Sequence, residues 1–243
     1  MRAQRKRLLP KKPNLLRVKI KRNNDPNPTT VMILISINQN HDCGLPYSFM
    51  PEIETARLRL RLCSKGDLDN LFKIRADREV MRFIGDGMPQ TFNQVKELLI
   101  EIEKHWIAYG FGRWAITIKP SDEIIGLCGL TFLEKSDEIE IGYLLSKPFW
   151  GKGIATEASR ACLRYGFENI NLERIVAVAY PENSASRKVL EKIGLKYVKT
   201  ARFYDGILAY YEMLRKDYHS DHSFFLIHDS TSKKLRNIKS QGD

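Results

Sequence analysis

The chain has 243 residues, of which 43% are hydrophobic, 28% charged and 10% aromatic, and its formal net charge is +11. This composition is that of a globular protein with one or two domains. It excludes a wholly disordered chain, a collagen-like fibre and a disulfide-held scaffold.

Residues 1–50 differ in composition and charge from the rest of the chain. They hold ten Lys and Arg against two acids, a balance of +8, and five prolines interrupt any periodic pattern. Their longest apolar run, Val31–Ile37, is far shorter than the ~20 residues that cross a bilayer. We interpret this segment as a basic, disordered arm or, equally, as a misassigned start that belongs at Met50, and we expect no membrane contact.

The next segment predicts a strand and two helices. The alternation RLRLRL over 57–62 predicts a half-buried strand, and Ser64 can cap a helix that ends near Ala76. A second helix is predicted from Asn93 to Trp106, because apolar residues recur there at helical spacing on one face. That face consists of Val95, Leu98, Leu99, Ile102 and Trp106.

Three antiparallel strands follow, at Gly112–Ile118, Ile124–Leu133 and Glu138–Leu145. A helix from Ile154 to Phe167 and a strand over Arg174–Tyr180 come next. The remaining elements are a short helix that starts at Asn183 and stops at Gly194, and a hairpin around Asp205-Gly206.

A strand–helix–strand unit within an otherwise antiparallel sheet predicts a mixed α/β (α+β) fold. We assign it to a single domain over residues 51–218, followed by a polar, aperiodic tail over 219–243. The four cysteines form no CxxC pair, so we expect neither a disulfide nor a metal site, and a reducing cytoplasm fits. Cys128 and Cys162 lie in apolar runs and are interpreted as small core residues.

Between Ser146 and Glu157 the chain passes from a strand through two glycines directly into a helix. The first N–H groups of a helix have no intrahelical partner and lie at the positive end of its dipole. Gly151 and Gly153 carry no side chain that would hold a diphosphate away, so the turn is a candidate anion site. A tight connection without a ligand would use the same residues. The GxxxxGK[ST] and GxGxxG phosphate motifs are both absent.

The segment WGKGIA (150–155) resembles the acyl-CoA pyrophosphate loop of the GNAT N-acetyltransferases, usually written [QR]-x-x-G-x-[GA]. Five features, in order and spacing over about residues 52–218, resemble the RimJ/RimL-like branch of that superfamily. They are ETARLRLR (54–61), EIGYLL (140–145), PFWGKGIATEA (148–158), which contains the loop, NSASRKVLEKIGL (183–195) and the Asp205-Gly206 hairpin.

The resemblance implies a GNAT-like acyl-CoA N-acyltransferase fold and direct transfer of acetyl from acetyl-CoA, without a metal. The acceptor would be a primary amine, either a protein N-terminus such as that of a ribosomal protein or a small molecule. The residues of the turn implied to bind the co-substrate are Trp150, Gly151, Lys152, Gly153, Ile154 and Ala155. Trp150 stands where most members have Gln or Arg.

Direct transfer requires a neutral amine, a stabilised oxyanion and an acid near the departing sulfur. We predict Glu140 as the base, with a solvated strand residue as the alternative interpretation. An α-amine, with a pKa of about 7.7–8.0, needs far less assistance from a base to become neutral than a lysine amine with a pKa of about 10.4. Backbone N–H groups near Leu144 and Leu145 are predicted to meet the oxyanion, where this fold splays its strands.

The short helix supplies the remaining candidates. Asn183 is a natural helix cap and, by resemblance, also contacts the pantetheine amide. Ser186, three residues on, lies on the same side of this helix and can hydrogen-bond the CoA sulfur as an acid or an anchor. Glu191 stands where many superfamily members carry a tyrosine that acts as the acid. An aromatic cluster, Trp106, Tyr109, Phe111 and Trp114, forms either an acceptor pocket wall or core.

A second hypothesis assigns no catalysis to the chain. In it, the protein is a CoA-binding or RNA- or ribosome-associated module that acts through the basic arm. The sequence leaves both the acceptor and the choice between monomer and homodimer open.

Overall fold

The computed structural model describes residues 50–204 and 206–229. The basic arm and residues 230–243 lie outside this range, so a ribosome or RNA contact through the arm stays a prediction. Within the described residues the chain forms five α-helices: α1 (Leu68–Arg75), α2 (Arg78–Met81), α3 (Phe92–Tyr109), α4 (Ile154–Arg164) and α5 (Ser184–Lys192). It also forms nine strands: β1 (Pro51–Glu54), β2 (Leu58–Arg61), β3 (Arg113–Ile118), β4 (Gly126–Phe132), β5 (Ile139–Leu145), β6 (Arg174–Ala179), β7 (Lys196–Phe203), β8 (Gly206–Leu214) and β9 (Leu226–Asp229).

The strands form one sheet in the order β7-β8-β6-β5-β4-β3-β2-β1-β9. Neighbouring strands are antiparallel except for β5 and β6, which run parallel and are connected through α4. The predicted mixed α/β sheet with one strand–helix–strand unit is therefore confirmed. None of the helices in this part of the chain combines the length and the apolar composition that a membrane span requires.

Local sequence signals account for most element boundaries. Leu58 and Leu60 of β2 are fully buried, while the arginines between and after them pair with acids on the other face, as strand alternation requires. Helix α3 is longer than predicted, because it starts after Thr91, which forms a capping box with Gln94. It ends at Gly110, whose φ of +70° favours glycine.

Two strands, β1 and β9, were not predicted. Residues 226–229, interpreted as part of a polar tail, instead form the edge strand β9, which pairs antiparallel with β1 from Pro51↔Asp229 to Glu54↔Leu226. Each strand has only four residues, and in β1 only Ile53 is fully buried. Such short segments carry too little alternation to be recognised, and the sheet extends beyond the predicted boundary at residue 218.

Helix α4 covers the central strands with an apolar face that is buried and that Tyr165 continues directly after the helix. The helical residues of this face are Ile154, Ala158, Ala161 and Cys162. The Sγ atom of Cys162 lies 3.4 Å from that of Cys128 on β4, and both residues are fully buried. This contact confirms their interpretation as core residues and identifies the face of the sheet on which α4 packs.

Candidate functional site

The parallel strands β5 and β6 pair at a single position, Glu140 with Val176, near the start of both strands. No further pair forms towards their carboxyl ends in the described residues. The two strands therefore diverge, and an opening through the sheet is left beside the last residues of β5. We call this gap the β5–β6 opening.

The direction of the N–H groups along β5 follows from the pairing with β4. Ser146 N–H donates to the Ile125 carbonyl at 2.8 Å, and hydrogen bonding alternates along an antiparallel strand. The N–H of Leu144 therefore also points towards β4, whereas those of Tyr143 and Leu145 point into the β5–β6 opening. Of the two predicted oxyanion positions, only Leu145 presents its amide to the opening, and Tyr143 provides the second amide.

The side chain of Trp150 lies at the same place. Its indole Nε1 donates to the Leu145 carbonyl at 2.7 Å, and 45% of the residue remains exposed. Trp150 thus fixes the end of β5 beside the opening instead of packing into the core. The ammonium of exposed Lys152 lies 5.7 Å from the ring centroid of Phe149.

The glycine turn follows β5 after a short 3-10 turn over Lys147–Phe149. Gly151 and Gly153 have φ values of +72° and +75°, a region that glycine enters without steric cost. Gly153 is the N-cap of α4 and offers no side chain to cap it. Across residues 151–156, no N–H group has an acceptor in the part of the chain that the structure describes. These unpaired donors at the positive end of a helix dipole form a site suited to a diphosphate.

The acid in the first turn of α4 does not fold back onto these amides. Glu157 accepts hydrogen bonds from Thr55 Oγ1 at 2.6 Å, from Arg57 N at 3.0 Å and from Arg57 Nε at 2.6 Å. Arg57 also donates to the Lys152 carbonyl at 3.0 Å. Although burial alone would raise the pKa of Glu157, the hydrogen bonds from Thr55 and Arg57 lower it, so its charge is kept. This clamp joins the turn to the ETARLRLR motif, and the sequence did not reveal it.

Helix α5 places two of the predicted residues beside β5. Asn183 Oδ1 caps the helix by accepting from Ser186 N at 3.1 Å. Ser186 Oγ lies 3.0 Å from the Tyr143 hydroxyl, which also donates to the Ser186 carbonyl at 3.0 Å. Burial raises the pKa of Tyr143, so its hydroxyl remains protonated. Tyr143 was not predicted, although the alternation of EIGYLL already places it on the face opposite Glu140.

Glu140 lies on that other face and is only 7% exposed. Its interpretation as a solvated strand residue is therefore wrong. Its Oε1 accepts from the Tyr204 hydroxyl at 2.6 Å. Burial raises the pKa of Glu140, and the Tyr204 hydrogen bond and the charge of Arg113 offset only part of this effect. A carboxylate with a raised pKa accepts a proton more readily than an exposed one, which suits a general base.

A cavity of about 380 Å³ opens between α3 and this face of the sheet. Of the four predicted wall aromatics, only Tyr109 lines it. Trp106, Phe111 and Trp114 are at most 2% exposed and belong to the core, so their interpretation as a pocket wall is wrong. Elsewhere, no cluster of three or more His, Cys, Asp or Glu within residues 50–204 and 206–229 is arranged to hold a metal ion.

Comparison with known families matches residues 57–196 to the acetyltransferase (GNAT) domain. This range is more than half of the chain and contains the β5–β6 opening, the glycine turn and α5. It leaves out β1 and β9, the two strands that the sequence did not predict.

Individual proteins are similar to this chain over about two thirds of its length. The uncharacterized protein YkkB of Bacillus subtilis (strain 168) is 35% identical over 170 residues, which cover 69% of the chain and 96% of YkkB. The uncharacterized N-acetyltransferase p20 of Bacillus licheniformis is 32% identical over 164 residues, with coverages of 67% and 88%. The crystal structure of a GNAT-family acetyltransferase from Bacillus anthracis is 25% identical, with a TM-score of 0.59 and coverages of 68% and 99%.

Proposed function

This chain is an N-acetyltransferase of the GNAT acetyltransferase family, and we propose that it passes an acetyl group directly from acetyl-CoA to a primary amine. The observation that carries the proposal is the run of unpaired N–H groups over residues 151–156 at the start of α4. Two glycines with positive φ keep side chains away from these amides. They fit the diphosphate of a CoA thioester, which is an anion of matching size.

Acetyl-CoA supplies an acetyl thioester that a neutral amine attacks, so that the new C–N bond forms as the C–S bond breaks. In the overall balance, an ammonium and a thioester give an amide, a thiol and one proton. Glu140 would accept that proton from the acceptor, directly or through water. The amides of Tyr143 and Leu145 would hydrogen-bond the thioester oxygen, on which negative charge develops.

The departing sulfur needs a proton donor, and we assign this role to Ser186. Its Oγ lies 3.0 Å from the Tyr143 hydroxyl, whose proton would turn from the Ser186 carbonyl to Oγ as Oγ–H donates to the sulfur. The second proton that the acceptor nitrogen loses would then replace the one that Ser186 has given to the thiol. Asn183 uses its Oδ1 to cap α5, which leaves its NH₂ group for the pantetheine amide. Lys152 is exposed beside the turn and would contact a phosphate. The base and the acid would then act from opposite faces of the sheet, through the β5–β6 opening.

The finer assignment is to the RimJ/RimL-like branch, supported by the order and spacing of its motifs over about residues 52–218. Within it, the acceptor is either a protein N-terminal α-amine or a small-molecule amine. In both cases we place the protein in the cytoplasm, as a monomer or homodimer.

Two measurements on the full chain test this function. The first compares thermal unfolding with acetyl-CoA, with acetyl-dephospho-CoA, which keeps the diphosphate, and with acetyl-pantetheine, which lacks it. We expect the first two to stabilise by about 2.7 kcal/mol at 100 times their Kd and acetyl-pantetheine to stabilise far less at equal concentration. Equal stabilisation by all three would contradict a diphosphate site at residues 151–156.

The second measurement follows thiol release from acetyl-CoA with a panel of small amines and N-terminal peptides. We expect release that depends on the amine, with one acetyl group appearing on the amine for each thiol formed. A chain that binds acetyl-CoA but releases no thiol with any amine would instead fit the non-catalytic CoA-binding module.

A further inference from the structure

An arginine without a partner faces the acceptor side of the sheet. Arg113 of β3 is half-buried, yet its guanidinium forms no hydrogen bond or ion pair in the described part of the chain. Several other arginines on strands and helices pair with carboxylates: Arg57, Arg59, Arg61, Arg164 and Arg174. A half-buried guanidinium that lacks such a pair is free to bind an anion.

A second arginine reinforces this positive charge. Arg75, at the end of α1, is only 4% exposed, and within the described residues its side chain makes one hydrogen bond, from Nε to Gln90 Oε1 at 2.5 Å. Its Nη1 is buried and finds no acceptor among the same residues. Burial, and then the charge of nearby Arg113, lower its pKa to about 10, which still leaves it charged at neutral pH. The charge of Arg113 also acts on Glu140, but neither arginine forms an ion pair in the described residues, so a bound anion would offset the repulsion between them.

The strand register places this charge on the same face as the candidate base. Arg113 pairs with Gly129, and Gly129 pairs with Gly142, so the three residues form one row across β3, β4 and β5. Glu140 lies two residues from Gly142 on β5, and side chains two residues apart share a face. With strands about 4.8 Å apart, the row is about 10 Å long from the first Cα to the last.

The surface over Gly142, beside the carboxylate, is open, because a Cβ added there would meet no atom within 4 Å. At Gly129, in the middle of the row, a Cβ would clash with the backbone of Gly112 and Arg113, so β3 lies close against that glycine. The cavity of about 380 Å³ lies beside this surface, where Arg113 and Thr131, the cross-strand partner of Glu140, line it together with Tyr109. Helix α3 also contributes Glu101 and Lys104, which pair with each other. The volume of the cavity is within the range of small-molecule sites.

Building on the proposed function, we propose that the acceptor is a small zwitterionic amine. Its anionic group, a carboxylate or a phosphate, would pair with Arg113, and its ammonium would lie over Gly142 and face Glu140. The positive and negative ends of the site would then set the orientation of the acceptor. A peptide N-terminus without an acidic side chain would lack the anionic contact and be a poor substrate.

The test uses matched acceptors at saturating acetyl-CoA. Thiol release is measured for glutamine against its α-carboxamide and for phosphoethanolamine against ethanolamine. We expect at least one anionic member to exceed its neutral partner by about tenfold or more in kcat/KM, and the pair that responds identifies carboxylate or phosphate. Because an α-carboxamide lowers the pKa of the neighbouring amine, basicity alone would favour the neutral member of the first pair.

Variants then assign the preference to one side chain. Arg113→Gln is expected to raise the KM for the preferred anionic acceptor at least about tenfold, while the KM for the neutral partner and the KM for acetyl-CoA remain unchanged. Arg113→Lys should restore part of the preference, because it keeps the charge but not the planar pair of donors. The exposed Arg78 provides the control, and Arg78→Gln should behave as wild type.

The outcomes separate this proposal from the proposed function. Thiol release that is equal for both members of each pair, or faster for the neutral members or for an uncharged N-terminal peptide, would overturn the zwitterion site and leave the acetyltransferase intact. An equal rise in KM for the anionic and the neutral acceptor in Arg113→Gln would also overturn the zwitterion site. Absence of thiol release with every amine would count against the proposed function itself. The comparison of wild-type acceptors decides the matter even if an Arg113 variant does not fold.

Discussion

The two sides of the β5–β6 opening are built from different parts of the chain. The proposed acetyl-donor side consists of main-chain N–H groups over residues 151–156, supported by Asn183 and Ser186 on α5. The proposed acceptor side consists of side chains from three separate elements, Arg113 on β3, Glu140 on β5 and Tyr204 in the β7–β8 hairpin. Main-chain groups depend on backbone conformation, whereas the acceptor side depends on side-chain chemistry. Substitutions should therefore affect the two sides independently.

The largest expected effect is on the acceptor side. Glu140→Gln removes the proposed proton acceptor but retains the size of the side chain, so we expect kcat/KM to fall by about 10²–10⁴-fold. Acetyl-CoA should still raise the thermal unfolding temperature as it does in wild type, because the donor side is unchanged. A loss of acetyl-CoA binding in this variant would show that the two sides are not independent.

The next largest effect is on the donor side. Gly153→Val forces a β-branched residue to adopt a φ of +75°, which costs about 1–3 kcal/mol, and displaces the amides of the turn. We expect the KM for acetyl-CoA to rise at least about tenfold and the KM for the amine to remain unchanged. Gly142→Ala is the reciprocal control, because its Cβ enters the open acceptor space and should change only the KM for the amine.

A smaller effect distinguishes two roles of Asn183. Asn183→Ala removes the cap of α5 and should cost about 1 kcal/mol, a decrease of roughly 2–4 °C in unfolding temperature. Asn183→Asp keeps the cap acceptor and replaces only the NH₂ group. If Asn183 also contacts the pantetheine, the Asp variant will be as stable as wild type but have a higher KM for acetyl-CoA. Normal kinetics in the Asp variant would restrict Asn183 to capping.

The smallest effect concerns the pH dependence of the base. The Tyr204 hydrogen bond lowers the pKa of Glu140, so Tyr204→Phe should raise that already elevated pKa further. Since the base acts only when ionised, the acid limb of kcat/KM should move to higher pH. Activity should fall a few-fold below neutral pH and stay near wild type in alkaline buffer. A parallel loss at every pH would indicate disruption of the hairpin instead.

The same contrast explains what the sequence could predict. The apolar faces of α3 and α4, the glycine turn and the cap at Asn183 depend on residues within about one element of each other. Arg113, Tyr204 and Tyr143 gain their importance from strand register and hairpin position, which link residues tens of positions apart. Composition and periodicity do not encode such register, so these three residues were found only in the folded chain.

The predicted oxyanion contacts at the β5–β6 opening also depend on the strand register, which the sequence does not reveal. Leu144 and Leu145 are adjacent in sequence, and only the pairing of β5 with β4 shows that their N–H groups point in opposite directions. The aromatic cluster was ambiguous for a related reason. Packing decides whether a ring lines a cavity or fills the core, and three of its four members fill the core.

The pairing of β9 with β1 has a practical consequence for shortened forms of the protein. A protein that stops at residue 218 would lack the four residues that cover β1, and would expose a row of free backbone donors and acceptors along Pro51–Glu54. Bare strand edges recruit other strands, which leads to self-association and precipitation. Truncations intended for crystallisation should therefore retain residues up to at least 229.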